Sequence, residues 1–400
     1  MVAEPFEVTV TDAEIEDLRD RLSRTRWPEA ETVDDWSQGL PLAYAQELCR
    51  SWAEDYDFGF AKRLNAFPQF RDTVDGLGIH FVHARSPEPN AFPLVITHGW
   101  PGSVLEFLDI LGPLTDPAAY GGDPADAFHV VAPSLPGYGW SDKPSTTGWG
   151  VERIARAWDA LMVSLDYERY GAQGGDWGSA VSGALGEVAP ERVAAVHLNM
   201  GAAPQGTFDD PTPAEQTNLM AVKEFQRTGR GYSGQQSTRP QTLGYALTDS
   251  PAGQAAWIAE KFWAWTDNDG HPEDAVTRQQ ILDEISTYWF TASATSSARL
   301  YWESFTSFRG KVTAPSGLSI YPHDLARPSR REAELRFTDL RWFEEMPAAA
   351  TSPRLNSRSR WSSRCAGSSA CSADGPHRGT DTFCPVPSWE QQSPWHFASQ

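Results

Sequence analysis

Apolar positions along the chain change period twice, and each change marks a structural boundary. Near the N-terminus they recur every three to four residues. Ile15, Leu18 and Leu22 follow Thr11 and Glu14, which have the spacing of a capping box, so a helix is predicted to start at Thr11. Asp17–Arg21 and Asp20–Arg24 place opposite charges four residues apart on its outer face. Tyr44, Leu48 and Trp52 predict a second helix from Pro41. Both precede any strand pattern, so residues 1–75 read as an N-terminal helical lead-in domain. From Ile79 short apolar runs take over. Residues 79–83, 92–97 and 128–133 read as strands, with helices over 103–114 and 151–165, then a glycine turn, another helix and a strand over 193–199. Strands alternating with helices predict an α/β fold, a mainly parallel sheet with helices on both faces. Between about 201 and 300 helical periodicity stands alone, for example over 252–265 and 277–290, before a strand at 317–321 resumes the sheet. The predicted order is an α/β core over 76–200, a helical cap over 201–300 and the rest of the core over 301–347.

Composition breaks at Ala348. The stretch 348–400 holds Cys365, Cys371 and Cys384, five arginines and no lysine, and Leu355 and Val386 are its only branched aliphatics. That is too little apolar surface to offset chain entropy, so the segment reads as an aberrant, disordered tail. It carries +2, against −22 for the first 347 residues. The net charge of −20 over 400 residues repels phosphate backbones and anionic lipid, so neither nucleic acid nor a membrane surface is expected as a partner. No run approaches the ~20 apolar residues of a membrane anchor. The first residues lack the basic and apolar pattern of a secretory leader. Four dispersed cysteines argue against a disulfide scaffold or a zinc ribbon. The expectation is a cytoplasmic globular protein, and 17 tryptophans with 11 tyrosines predict interior space walled by aromatic rings.

The residues that could do chemistry cluster at turns. Gly174-Gly175-Asp176-Trp177-Gly178 has the small-x-nucleophile-x-small form of a nucleophile elbow, where a sharp strand-to-helix turn needs small flanking residues. A glycine loop with an Asp cap is the plain alternative, and no G-x-G-x-x-G fits here. His98-Gly99-Trp100-Pro101-Gly102-Ser103 follows the buried strand over 92–97. Such a turn can aim the backbone N–H of Trp100 at the same oxyanion as the N–H of Trp177. His98 itself reads as structural, as does the turn Ser134–Pro144.

In this order the pieces resemble an α/β-hydrolase of the epoxide hydrolase family, in its microsomal-type branch with an N-terminal helical domain, from about Pro5 to Pro347. The resemblance implies an aspartate that attacks an epoxide carbon, two cap tyrosines that hold the epoxide oxygen, and a histidine–acid pair that activates water. Asp176 then takes the nucleophile position, and Trp100 and Trp177 supply the oxyanion hole. Tyr232, in Gly229-Arg230-Gly231-Tyr232, would hydrogen-bond the epoxide oxygen. Tyr301, in Ala298-Arg299-Leu300-Tyr301-Trp302-Glu303, would donate the proton. Asp324, in Tyr321-Pro322-His323-Asp324, would be the acid partner of the base, with Asp where many relatives have Glu. Taken singly, each tyrosine reads as cap packing. No cofactor or metal is implied. The partners are a small apolar epoxide and water, and a homo-oligomer remains open. Two other readings share the scaffold: a haloalkane dehalogenase, with the same Asp nucleophile and following tryptophan, and a non-catalytic α/β-hydrolase that binds an apolar ligand.

The base is absent. Members of the family carry Gly-Gly-His-Phe shortly after the acid, and the spacing from Asp324 puts that histidine at about Thr351. Only His377 and His396 lie further along, both in the tail. Encoding Ala349–Trp361 in GC-rich codons and reading a shifted frame gives Gly-His-Phe-Ala-Ala-Leu-Glu-Gln-Pro-Glu-Pro-Leu-Val. This restores the histidine and the start of an apolar helical segment. The tail therefore reads as the product of a single-base frameshift, or of a sequencing error, near codon 347, and the enzyme as impaired.

Overall fold

A computed structural model describes residues 3–201, 203–204, 206–304, 310–322, 324–325 and 327–346. Thr351, His377, His396 and the tail from Ala348 lie outside the described residues.

Among the described residues nine strands form one sheet in the order β1-β2-β3-β5-β4-β6-β7-β8-β9: β1 Glu4–Phe6, β2 Gln69–Val74, β3 Leu77–Ala84, β4 Phe92–Thr97, β5 Phe128–Pro133, β6 Tyr170–Gly174, β7 Val193–Asn199, β8 Ser316–Ile320 and β9 Leu340–Glu345. From β5 to β9 every pairing is parallel, while β1, β2, β3 and β5 pair antiparallel. The mainly parallel sheet expected from the alternating pattern is therefore present, with an antiparallel extension that the pattern did not give. β1 and β2 belong to the stretch read as a helical lead-in, so residues 1–75 do not form a purely helical unit. Val74 pairs with Leu77 across Asp75-Gly76, both at positive φ (49° and 78°). That is a two-residue hairpin turn of the kind Asp-Gly favours.

The helices are α1 Asp12–Ser23, α2 Leu42–Glu54, α3 Phe60–Leu64, α4 Leu108–Thr115, α5 Val151–Ser164, α6 Asp176–Val188, α7 Pro213–Thr228, α8 Gly231–Thr238, α9 Pro240–Asp249, α10 Pro251–Trp265, α11 Arg278–Phe290, α12 Ala294–Ser304 and α13 Arg330–Glu334. α1 starts from the predicted box: Glu14 N–H donates to Thr11 Oγ1 (3.3 Å) and Thr11 N–H to a Glu14 carboxylate oxygen (2.8 Å). Asp17–Arg21 pairs at 2.8 Å, and Asp20 pairs with Arg24. The helix expected over 103–114 is divided into a 3-10 turn, Val104–Phe107, and α4. Ser103 caps the turn by accepting the Leu105 N–H.

Among the described residues, six helices, α7 to α12, run between β7 and β8 with no strand among them. The first two helices brace this excursion. Trp52 of α2 donates to Ser286 Oγ of α11 (2.9 Å), and the Tyr56 hydroxyl donates to Asp283 (2.7 Å). Trp52, Leu48 and Leu18 are fully buried in the shared core. Burying such side chains contributes about 1.5–3 kcal/mol each.

Candidate active site

The strand-to-helix turn between β6 and α6 is built by close approach. Asp176 is the first residue of α6 and sits at φ 48°, a left-handed backbone unusual for a non-glycine residue. A Cβ on Gly178 would lie 1.8 Å from the Thr97 carbonyl oxygen, and one on Gly174 would lie 2.2 Å from the Gly178 backbone. Both obstacles are backbone, so nothing can swing aside. Gly178→Ala is expected to destabilise the fold by about 3 kcal/mol or more, the top of the usual overpacking range. Gly231→Ala, whose Cβ would meet nothing within 4 Å, is expected to change stability by less than about 1 kcal/mol. Urea-denaturation midpoints of the two variants check the contrast.

The turn after β4 closes over this elbow. The Trp100 N–H donates to Asp176 Oδ1 at 2.8 Å. Gly99 leaves room for it, since a Cβ there would sit 2.4 Å from Asp176 Oδ1. Burial pushes the Asp176 carboxyl up from 3.8 to about 6, and the N–H groups of Trp100 and Trp177 pull in the opposite direction. His98 is structural: its Nε2 accepts the Leu135 N–H (3.1 Å), and burial draws its pKa down to about 4, so it stays neutral. The turn Ser134–Pro144 is held in the same way. Ser134 Oγ lies 2.9 Å from His80 Nδ1, and the Ser141 hydroxyl donates to the Ser134 carbonyl (2.7 Å).

Aromatic rings roof the carboxylate. Tyr232, the second residue of α8, stacks on Trp100 with centroids 5.1 Å apart. Tyr301, on α12, meets Trp177 edge-on at 4.8 Å and Trp100 at 5.9 Å. The two tyrosine rings are 5.9 Å apart, and Trp265 closes the box against Tyr232 at 5.1 Å. Both phenols are buried. Burial first, together with nearby charge that includes Asp176, raises their pKa values and keeps them protonated at neutral pH. The Tyr301 hydroxyl makes no hydrogen bond among the described residues. Asp324 is buried just beyond the end of β8, where one of its carboxylate oxygens accepts the Tyr321 N–H at 3.0 Å. β8 pairs with β7 and β7 with β6, so Asp324 and Asp176 lie off the same edge of the parallel strands.

The structure thus brings Asp176, Trp100, Trp177, Tyr232 and Tyr301 into one cluster and puts Asp324 on the same edge. The sequence reading missed Trp265, the buried Lys261, whose Nζ lies 4.6 Å from the Tyr232 ring centroid, and the buried carboxyls of Glu106 and Glu284. Trp265 and Lys261 lie on α10, whose apolar periodicity was legible, but facing was not.

A nucleophile elbow at the carboxyl edge of a parallel sheet, with a helical excursion before the next strand, defines the α/β-hydrolase fold. Comparison with known proteins narrows this. The family described as "Epoxide hydrolase N terminus" matches residues 3–107, and "alpha/beta hydrolase fold" matches 93–248. A protein of Stigmatella aurantiaca that carries an epoxide hydrolase name is 51% identical over 346 residues, covering 85% of this chain and 79% of its own. Epoxide hydrolase 1 of Oryctolagus cuniculus is 32% identical over 394 residues, covering 88% of this chain and 87% of its own. The juvenile hormone epoxide hydrolase of the silkworm Bombyx mori superposes with a TM-score of 0.82 at 28% identity, over 92% of this chain and 94% of that one. The Aspergillus niger epoxide hydrolase gives 0.76 at 31%, over 86% and 89%. The chain belongs to the epoxide hydrolase family and is a hydrolase acting on epoxides. No helix among the described residues is long and apolar enough to cross a membrane.

Proposed function

We propose that this chain opens an apolar epoxide through an ester on Asp176 and, as written, hydrolyses that ester slowly. The observation that carries the reading is the Asp176 carboxylate on its strained elbow, with Oδ1 tied to the Trp100 N–H at 2.8 Å beneath two buried, protonated phenols. With Oδ1 occupied, Oδ2 is the oxygen left to attack. It forms a bond to an epoxide carbon as that carbon's bond to the ring oxygen breaks. The departing alkoxide takes the Tyr301 proton while Tyr232 hydrogen-bonds the same oxygen. Water then attacks the ester carbonyl, and the negative charge that develops on Oδ1 falls on the N–H groups of Trp100 and Trp177; as this intermediate collapses the Cγ–Oδ2 bond breaks and the diol leaves, one proton of the water going to the departing oxygen and the other returning to Tyr301. A histidine oriented by Asp324 would activate that water, and position 351 supplies none. Every step uses the chain's own groups and water, with no cofactor.

The carboxyl pKa gives a signature. Asp176 is a nucleophile only when ionised, so its alkylation is expected to slow as pH falls through about 6, the value to which burial raises it. Stopped-flow tryptophan fluorescence on single turnovers checks this. A midpoint near the ordinary 3.8 would mean that the reacting carboxyl is not this one.

The frameshift reading has a direct test in the nucleotide sequence around codons 345–365. A histidine codon in the shifted frame is expected there, and a shifted frame with no Gly-His-Phe would end the idea.

A further inference from the structure

Two carboxyls that the reaction does not use are buried under the turn carrying Trp100. Glu106, in the 3-10 turn after Ser103, is 2% exposed, and Glu284 of α11 is fully buried. Both reach the Gly102-Ser103 turn. The Ser103 hydroxyl donates to Glu284 Oε1 at 2.8 Å, and Gly102 makes room for Glu106, since a Cβ there would lie 2.3 Å from Glu106 Oε2. Tyr288, one turn after Glu284, donates its hydroxyl to the Gly102 carbonyl at 3.0 Å. The Oε2 atoms of both glutamates are buried without a hydrogen-bond partner, and neither residue makes an ion pair among the described residues.

Among the described residues, the titratable groups that act on the pair are Asp176 from the elbow, Asp283 and Tyr288, and neutral His98 lies against Gly102; none of them is a cation. Behind Glu284, Asp283 is already paired with Arg63 and Tyr56. An ionised carboxylate only accepts hydrogen bonds, so two such groups here would bury donor-less oxygens and repel each other and Asp176. A protonated carboxyl carries no charge, so the repulsion and the cost of burying an ion are removed. Burial and the neighbouring carboxylates favour that form at both residues.

We propose that Glu106 and Glu284 are positioning residues held as uncharged carboxylic acids: Glu284 fastens α11 to the Gly102-Ser103 turn, Glu106 fills the space that Gly102 leaves, and together they aim the Trp100 N–H at Asp176. The reactive carboxylate is then the one negative charge in a cluster of three carboxyls. The mechanical claim rests on the proposed use of Trp100 and Asp176, but the protonation of the pair does not.

The test uses the full chain. Infrared difference spectra of the wild type at neutral pH are expected to show a protonated-carboxyl C=O band that shrinks in both Glu106→Gln and Glu284→Gln. Single-turnover alkylation by an apolar aryl epoxide is expected to fall by about 100-fold in Glu106→Ala, the scale of an ångström of misplacement. Glu106→Gln, neutral and of the same shape, is expected to rescue it and to lessen the loss of rate that ionisation of the pair is expected to cause in the wild type at alkaline pH. A wild type without the band overturns the proposal, and so does a Gln variant as slow as the Ala variant with the alkaline loss retained. Failure of the wild type to be alkylated at all would count against the Asp176 ester instead, and the infrared band would still decide the state of the pair.

Discussion

Asp176→Asn is expected to abolish covalent capture of epoxide, lowering the single-turnover rate by at least about 10⁴-fold, while raising the stability of the fold. The first effect follows from removing the nucleophile, for which losses near 10⁶ are known in other covalent enzymes. The amide keeps the shape and still accepts the Trp100 N–H, so a loss of rate would not come from a collapsed turn. The second effect follows from linkage. The folded-state carboxyl is raised from 3.8 to about 6, so ionised Asp176 costs the fold about 3 kcal/mol at neutral pH. For a raised carboxyl the penalty is absent below pH 4 and complete above about pH 6. The variant is therefore expected to melt higher than the wild type at pH 7 and nearly with it at pH 4. Differential scanning calorimetry at the two pH values separates the cases. Equal melting temperatures at pH 7 would show that the carboxylate is not strained by burial.

Restoring the reading frame is expected to produce the other large change. A chain whose frame is restored near codon 347 carries Gly-His-Phe at about position 351 and so regains an imidazole where the resemblance places the base. Positioned general bases contribute about 10²–10⁴-fold, so steady-state diol formation is expected to rise by that factor over the chain as written. The gain belongs to the second half-reaction. Alkylation of Asp176 needs no base and is expected to run at similar rates in both chains. The chain as written is expected to consume one epoxide per site and then stall. Quenched-flow measurement of epoxide consumption and diol release in the same samples distinguishes the two steps. Equal steady-state rates would show that another group activates water.

How much of this was legible in the sequence depended on the range of the interactions. The helix at Thr11 needed only its capping box, and the elbow at Gly174–Gly178 only its small residues, because both rest on contacts with near neighbours in the chain. The β2–β3 hairpin is also written locally in Asp75-Gly76, but Arg71 and Asp72 interrupt the apolar pattern of a half-buried antiparallel strand, so β2 does not stand out in the sequence. β9 went unnoticed for a similar reason: its Leu340-Arg341-Trp342-Phe343 run lies at the sheet edge, mostly half-buried, without the apolar continuity of an inner strand. The site residues of the resemblance came from motifs. The box they form was not readable, since Tyr232, Trp265 and Tyr301 come from three separate helices. Least legible was the glutamate pair. Ser103 and Glu284 are 181 positions apart, and Glu106 stands in its own turn where a solvated polar residue would be expected.

The central claim, capture of epoxide carbon by Asp176, is tested most directly by tandem mass spectrometry of the peptide spanning Gly174–Gly178 after the chain meets an apolar aryl epoxide. The account predicts one epoxide mass added at Asp176, reaching about one equivalent per chain and persisting for longer than the alkylation takes. Diol released over many cycles while Asp176 is never found modified, or an adduct on another side chain in its place, would contradict it.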